Sequence, residues 1–200
     1  MITSILLAGG QSSRMKGENK LSKEINGIPL IKHAVKNILG SAIDELIIVL
    51  GHEKEIIESI IGKNKKIKFI YNPDFKNGLS TSIKTGIHHM SIQSKAFFIC
   101  LGDMPDVNQN IYNKLIKSKF KYNKKLKPNH KKEIIIPTYN GQEGNPVLFS
   151  ITMKNKIMEI NGDNGAESII ELNKNIILHV PFVNDGIILD FNTQESFNIL

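Results

Sequence analysis

The chain has 200 residues, which is enough for one domain with a sizeable core. Its net charge of +7 at pH 7 is typical of nucleic-acid-binding proteins, but nine lysines and no acid fall within residues 114–132, and the rest of the chain holds 17 basic and 19 acidic groups. No apolar run reaches the roughly 18 residues that span a bilayer, no basic leader precedes the first apolar stretch, and the single cysteine excludes an internal disulfide, so we expect a cytoplasmic protein.

Short apolar runs alternate with amphipathic stretches along the chain, a pattern that predicts an α/β sheet covered by helices. In chain order, the predicted strands are Ile2–Ala8, Glu45–Leu50, Ile67–Tyr71, Ala96–Leu101, Glu133–Pro137, Pro146–Ser150, Ile176–Val180 and Ile187–Leu189. The predicted helices between them are Pro29–Leu39, Lys54–Ile61, Ser80–Met90, Gln109–Ser118, Lys154–Glu159 and Ala166–Leu172. We find neither an internal repeat nor a linker, so residues 1–200 are expected to form one domain.

Polar residues and glycines cluster after four of the predicted strands. Ligands of open α/β sheets bind in the crevice beyond the carboxyl ends of the strands, so these clusters are expected to meet in one site. The residues in question, strand by strand, are Gly9, Gly10, Ser12, Ser13 and Arg14; Asn72 and Gly78; Gly102, Asp103 and Pro105; and Asp190.

The loop after the first strand has the composition of a phosphate site. Glycines let the backbone approach a ligand closely, successive backbone N–H groups can bind phosphate oxygens, and hydroxyls add donors. Arg14 is the only arginine in the chain, and its guanidinium can bind phosphate with two parallel hydrogen bonds, as Lys20 cannot. The P-loop and GxGxxG patterns are both absent here, and a plain glycine turn is the alternative.

Two further segments suit parts of a nucleotide. Asp103 follows a buried strand, where a carboxylate suits Mg²⁺, which takes one or two carboxylates together with substrate phosphates. Asn77-Gly78 marks a turn before the third predicted helix, and Ser80 is its predicted N-cap. Ser80 and Ser82 could instead face a nucleobase or ribose.

Six ordered motifs carry a resemblance to a known family. LLAGGQSSRMKGENKL at Leu6–Leu21 resembles the signature of the MobA-like nucleotidyltransferases. The remaining motifs resemble their molybdenum cofactor cytidylyltransferase branch: NPDFKNGLSTSIKTGI at Asn72–Ile87, LGDMP at Leu101–Pro105, GNPVLF at Gly144–Phe149, GDNGAESII at Gly162–Ile170 and ILDFNTQESF at Ile188–Phe197.

The resemblance implies a fold, a reaction and a set of site residues. The fold would be a Rossmann-like mixed, mostly parallel sheet with helices on both faces, as in nucleotide-diphospho-sugar transferases. The reaction would be Mg²⁺-dependent transfer of CMP from CTP to molybdopterin that carries molybdenum, and a molybdoenzyme or its chaperone would be a further partner, with no nucleic acid and no membrane. By position, the nucleotide would be held by Ala8, Gly9, Gly10, Ser12, Ser13, Arg14, Lys20, Asn72, Gly78, Ser80 and Ser82; catalysis would use Arg14, Lys20 and Asp103; Mg²⁺ would bind Asp103 and Asp190.

Three of the departures from the branch bear on the ligands. Gly9 stands where the branch usually has alanine, and we interpret the missing methyl as a wider pocket that admits a purine. Asn145 replaces a usual histidine and Glu167 a usual arginine, both on the expected pterin side. The alternatives are therefore a related transferase that uses GTP or a sugar or alcohol phosphate, a non-catalytic cofactor chaperone, and a nucleic-acid-binding protein.

The Lys-rich segment, residues 114–132, is expected to be a mobile solvated loop beyond the helix that ends at Ser118. Its lysine count and the absence of an apolar period favour that interpretation. The alternative is an electrostatic landing site for an anionic substrate or partner.

Overall fold

The computed structural model describes residues 1–11, 19–124 and 126–191. Ten strands are assigned in this part of the chain: β1 Ile2–Ala8, β2 Glu24–Ile25, β3 Ile28–Pro29, β4 Glu45–Leu50, β5 Ile67–Tyr71, β6 Ala96–Leu101, β7 Ile134–Tyr139, β8 Gln142–Glu143, β9 Val147–Ser150 and β10 Ile177–Phe182. The α-helices assigned there are α1 Leu30–Leu39, α2 Lys54–Ile61, α3 Leu79–His88, α4 Gln109–Asn123, α5 Lys154–Ile157 and α6 Glu167–Leu172.

The main sheet is mixed but mostly parallel, with strand order β10-β7-β9-β6-β1-β4-β5. β1 lies between β4 and β6 and is parallel to both, and β4 is parallel to β5. β9 runs antiparallel to β6 and to β7, whereas β10 is parallel to β7. β1 is buried along its whole length, as expected of a central strand covered on both faces.

Helices cover both faces of this sheet, which confirms the predicted fold class. Alternate residues of a strand point to opposite faces, so Leu6 packs into one core and Ile5 into the other. The first core includes the apolar faces of α1 and α4, and the second includes those of α3, α5 and α6. In the described residues no helix is both long and apolar enough to cross a bilayer.

The predicted strand Ile187–Leu189 is wrong. Asp185–Ile187 forms a 3₁₀ turn instead, in which the Asn184 side chain accepts a hydrogen bond from the Gly186 backbone N–H. A local side-chain hydrogen bond of this kind competes with extended backbone, and the apolar run here is only three residues long. Asp190 therefore does not follow a strand.

The Lys-rich segment is not simply a loop beyond Ser118, because α4 continues to Asn123. Lys119 lies two turns after Ile111 and one turn after Leu115 on the buried face of α4, and it is itself buried. The aliphatic part of its side chain extends the apolar face of α4. A hydropathy pattern counts every lysine as charged, so it does not reveal this contribution. Its ammonium donates a hydrogen bond to Ser150 Oγ at the end of β9.

Lys119 gives a pH-dependent contribution to stability. Burial lowers the pKa of its ammonium below the value of about 10.5 expected in the unfolded chain. Because the folded state therefore binds this proton less tightly, the contribution of Lys119 to the free energy of unfolding should rise as the pH rises from the folded-state pKa towards the unfolded one. Lys119→Met should lose that contribution, so its free energy of unfolding should change less favourably than that of the wild type between about pH 8 and about pH 10, measured by urea unfolding.

Lys117→Met is the matched control, because Lys117 lies on the same helix and is exposed. It should keep the wild-type pH response. A pH response of Lys119→Met equal to that of the wild type would contradict the desolvation of this lysine.

Candidate functional site

A cavity of about 420 Å³ lies beyond the carboxyl ends of β1 and β6. It brings together residues from three of the predicted clusters, which were expected to meet at this edge of the sheet. The sequence-predicted residues that line it are Gly9, Gly10, Lys20, Gly78, Ser82, Gly102 and Asp103. Ser12, Ser13 and Arg14 lie outside the described residues.

An ion pair between Lys20 and Asp103 occupies one wall of this cavity. Lys20 Nζ lies 2.5 Å from Asp103 Oδ2, and both side chains are largely buried. Lys20 begins a 3₁₀ turn in which Asn19 Oδ1 accepts a hydrogen bond from the Leu21 backbone N–H, and the buried Leu21 side chain anchors the turn to the core. The turn therefore presents a cation to the carboxylate that β6 delivers.

Asp190 is near this pair, although no strand positions it. The backbone N–H of its neighbour Phe191 donates to the Asp103 carbonyl oxygen at 3.0 Å, and the Phe191 side chain is buried in the core. The segment that carries Asp190 thus runs beside Asp103, with the Asp190 side chain exposed. The described residues contain no group of three or more His, Cys, Asp or Glu side chains suited to a metal ion.

The loop between β5 and α3 is ordered by Asn72. Its Oδ1 accepts from the Asp74 backbone N–H at 3.0 Å, and its Nδ2 donates to Thr81 Oγ1 at 2.8 Å and to Ser82 Oγ at 3.0 Å. Asn72 is fully buried and does not line the cavity. It shapes the wall that Ser82 and Gly78 form.

The predicted N-cap at Ser80 is wrong. α3 begins one residue earlier, at Leu79, and Gly78 stands at the cap position. Ser80 is buried outside the cavity lining, and its backbone N–H donates to the Gly162 carbonyl oxygen at 3.1 Å. The first turn of α3 is thus satisfied by a distant loop, which local sequence could not reveal.

Gly78 is required by two independent constraints. Its φ of 103° lies in the region that favours glycine, and a β-carbon there would stand 2.4 Å from the backbone carbon of Gly162. This close approach brings Asp163 into the cavity lining. The loop at Gly162–Asp163 and the start of α3 therefore form one wall.

Gly9 does not widen the cavity as we expected. A β-carbon at Gly9 would lie 3.1 Å from the Gly51 backbone nitrogen, so it would point to the loop between β4 and α2. The His52 backbone N–H donates to the Gly9 carbonyl oxygen at 3.3 Å in the same contact. The missing methyl permits two backbones to approach, while Ala8 is buried outside the cavity lining.

Sequence reasoning assigned no role to several residues that line the cavity. Phe75 and Lys76 lie in the Asn72–Ile87 motif, and Asp163 lies in the Gly162–Ile170 motif, so the motifs contained them without indicating which residues line the cavity. These lining residues are Gln11, Phe75, Lys76 and Asp163.

A second cavity, of about 200 Å³, adjoins the first and shares Leu7, Leu79 and Leu101 with it. Asn145 and Glu167 both line this second cavity. The two departures on the expected pterin side are therefore brought together, although 22 positions separate them in the sequence.

Comparisons with known proteins agree on the class of the chain. The sequence profile of the MobA-like NTP transferase domain matches residues 4–177. Molybdenum cofactor cytidylyltransferase of Escherichia coli strain K12 is 27% identical over 197 residues, which is 98% of this chain and 93% of that protein.

Two solved structures show the same fold. Rv0371c from Mycobacterium tuberculosis H37Rv has a TM-score of 0.84 at 18% identity, covering 99% of this chain and 96% of that chain. A nucleotidyl transferase from Methanothermobacter thermautotroptrophicus has a TM-score of 0.80 at 17% identity, covering 100% of this chain and 95% of that chain.

The contact at Gly78 predicts a specific loss of stability. Gly78→Ala should lower the free energy of unfolding by about 2 kcal/mol more than Gly141→Ala, because Gly141 also has a positive φ but open space around its β-carbon position. Urea unfolding of both variants measures the difference. Equal losses of unfolding free energy in the two variants would mean that the Gly162 loop moves to accommodate the extra methyl without destabilising the fold.

Proposed function

The chain belongs to the MobA-like NTP transferase family and is a nucleotidyltransferase, and from that premise we propose that it transfers CMP from CTP to molybdopterin carrying molybdenum. The observation that supports this best is the Lys20–Asp103 ion pair in a cavity formed by a glycine loop and the end of β6. The relative with 27% identity over nearly the whole chain is named for this reaction. We further propose that residues 1–200 act as one domain, in the cytoplasm.

The triphosphate would lie along the glycine loop. Gly9 and Gly10 offer backbone to the cavity without side chains, so phosphate oxygens can approach closely. Lys20 adds a cation at the far end of the loop. Ser12, Ser13 and Arg14, between these positions in the sequence, would complete the set of donors, and the base and ribose would lie towards Gly78 and Ser82.

The residues near Asp103 fit Mg²⁺. One oxygen of the Asp103 carboxylate contacts Lys20, and the segment carrying Asp190 is hydrogen bonded to the Asp103 backbone. Two carboxylates are a donor set that Mg²⁺ accepts when substrate phosphates supply the other ligands. Bound there, Mg²⁺ would neutralise charge on the phosphate oxygens.

The chain's own part in the reaction is positioning and charge compensation. A phosphate monoester is already a nucleophile, so one of its oxygens can attack the α-phosphorus without a strong base, while the bond to the β-phosphate oxygen breaks and pyrophosphate leaves. Lys20, with Arg14, would stabilise the departing charge. Enclosure of the site would favour the acceptor over water.

The second cavity is where we place the acceptor. It adjoins the nucleotide cavity through Leu7, Leu79 and Leu101, so an acceptor phosphate at the junction would reach the α-phosphate. Asn145 and Glu167 would then contact the body of the acceptor. A protein that only carries the cofactor would not need a cation–carboxylate pair in its nucleotide cavity.

Asp103→Asn should abolish most turnover while the fold survives. The amide keeps the shape of the side chain but cannot bind a metal or pair with Lys20 as a carboxylate does, so pyrophosphate release should fall by about a hundredfold or more. Pyrophosphate release measures the rate, and circular dichroism melting checks the fold. Asp106→Asn is the control, because Asp106 is exposed and lines neither cavity. Release near the wild-type rate in Asp103→Asn would remove Asp103 from the reaction.

CTP should be preferred over GTP by about tenfold, because a purine edge with unpaired polar groups costs about 1–3 kcal/mol. Competitive turnover with both nucleotides and molybdopterin measures the ratio. Gly9→Ala should weaken both nucleotides alike, since its methyl would press on Gly51 and not on the cavity. Equal or better use of GTP by the wild type would favour the guanylyl alternative.

A further inference from the structure

A groove of about 540 Å³ runs between α4 and β10, away from the nucleotide cavity. One face of α4 forms its first wall through Lys114, Ser118, Lys121 and Tyr122. The second wall consists of the consecutive β10 residues 178–181. Consecutive strand residues point to alternate faces, so a groove lined by all four follows the edge of the strand.

The groove joins an apolar floor to a positive rim. The partly buried Leu126 and Leu178 supply apolar surface above the buried Val180, and Tyr122 is 44% exposed beside them. Lys114 and Lys121 stand on the helix side, in a segment, residues 114–132, that has no acid. None of the described residues that line the groove is acidic. The Glu143 carboxylate forms a hydrogen bond of 2.6 Å with His179, which does line it.

The exposed lysines of α4 are available to a partner. Within the described residues, Lys114, Lys117 and Lys121 form no ion pair. Lys114 is nevertheless held in place, because its ammonium donates to the Pro181 carbonyl oxygen at 2.5 Å and lies 4.2 Å from the centroid of the Phe182 ring. A cation that is already ordered loses little side-chain entropy when an anion binds.

The strand edge itself is closed to an added strand at this end. Pro181 has no backbone N–H, and its carbonyl oxygen is taken by Lys114. A ligand of the groove must therefore be recognised through side chains. Carboxylates above the lysines and apolar side chains on the floor are the groups that match.

The spacing of the rim lysines specifies the shape of that ligand. Lys114 and Lys121 are seven residues apart on α4, or about 10 Å along its axis. On a second helix, two acids seven positions apart share one face with the apolar positions three and four between them. Ser118, which is small, lies between the two lysines and leaves room for those apolar side chains.

We propose that this groove binds an acidic amphipathic helix of a partner protein. The acids of that helix, two turns apart, contact Lys114 and Lys121, and an apolar pair between them rests on Leu178. Binding of this kind is independent of the reaction, because the groove and the nucleotide cavity share no lining residue.

The test uses a fluorescein-labelled, alanine-rich helical peptide with two glutamates seven positions apart and leucines at the third and fourth positions after the first. Its binding to the full chain is followed by fluorescence anisotropy. Lys121→Glu should weaken binding about tenfold, because an attraction becomes a repulsion. Ser118→Trp should do the same by filling the groove. Lys117→Glu makes the same change of charge on an exposed position outside the groove and should weaken binding by less than about twofold.

Four results would overturn the proposal. The first two are that the peptide does not bind the wild type, or that Lys121→Glu and Lys117→Glu weaken its binding equally. The other two are that a peptide with glutamines in place of the glutamates binds equally well, or that the protein alone forms a dimer that Ser118→Trp dissociates. The last result would assign the groove to a second copy of the chain. All three variants should keep the circular dichroism spectrum and CTP affinity of the wild type, which separates loss of the groove from loss of the fold.

Discussion

The site depends on one ion pair, between Lys20 and Asp103, which joins segments 83 residues apart in the chain. Removing either charge from water is costly, and each group here is stabilised by the other in a largely buried position. The pair forms only if the 3₁₀ turn at Lys20 reaches the end of β6, and that requires β1 and β6 to be neighbours in register. The central strand pairing and the chemistry of the cavity are therefore consequences of the same arrangement.

The sheet was largely predictable because its signals are local. β1, β4, β5 and β6 have the bounds that the sequence predicts. The signal is strongest in β4 and β6, which are covered on both faces and consist almost wholly of apolar residues. Prediction failed where one side chain decided the outcome. Asn184 turns the backbone at Asp185–Ile187, and the stem of Lys119 takes an apolar position in α4.

The site was predictable as a set of loops but not as a set of side chains. Strand order brings Gly10 and Asp103 together, as the rule that ligands lie beyond the carboxyl ends of strands predicts. Lys20, which the Leu6–Leu21 motif indicates, lines the same cavity. Contacts between distant loops decided the rest. Gly9 lies against the backbone of Gly51, and Gly78 lies against the backbone of Gly162. Each glycine lets two distant backbone segments pack closely, and the sequence around it does not show which segment it contacts.

The two edges of the main sheet bear on how the protein behaves when it is crowded. An open edge is a template on which another copy can add a strand, and this is a common route to aggregation. At one edge, Pro181 lacks the donor that such a strand needs, and Lys114 occupies its carbonyl oxygen. At the other edge, β5 carries Lys68, whose ammonium pairs with Glu45 and remains half exposed. A strand added at the β10 edge would lack a backbone hydrogen-bond donor at Pro181, and a strand added at the β5 edge would have to desolvate the Lys68 ammonium. Both effects disfavour edge-to-edge polymerisation of the folded protein.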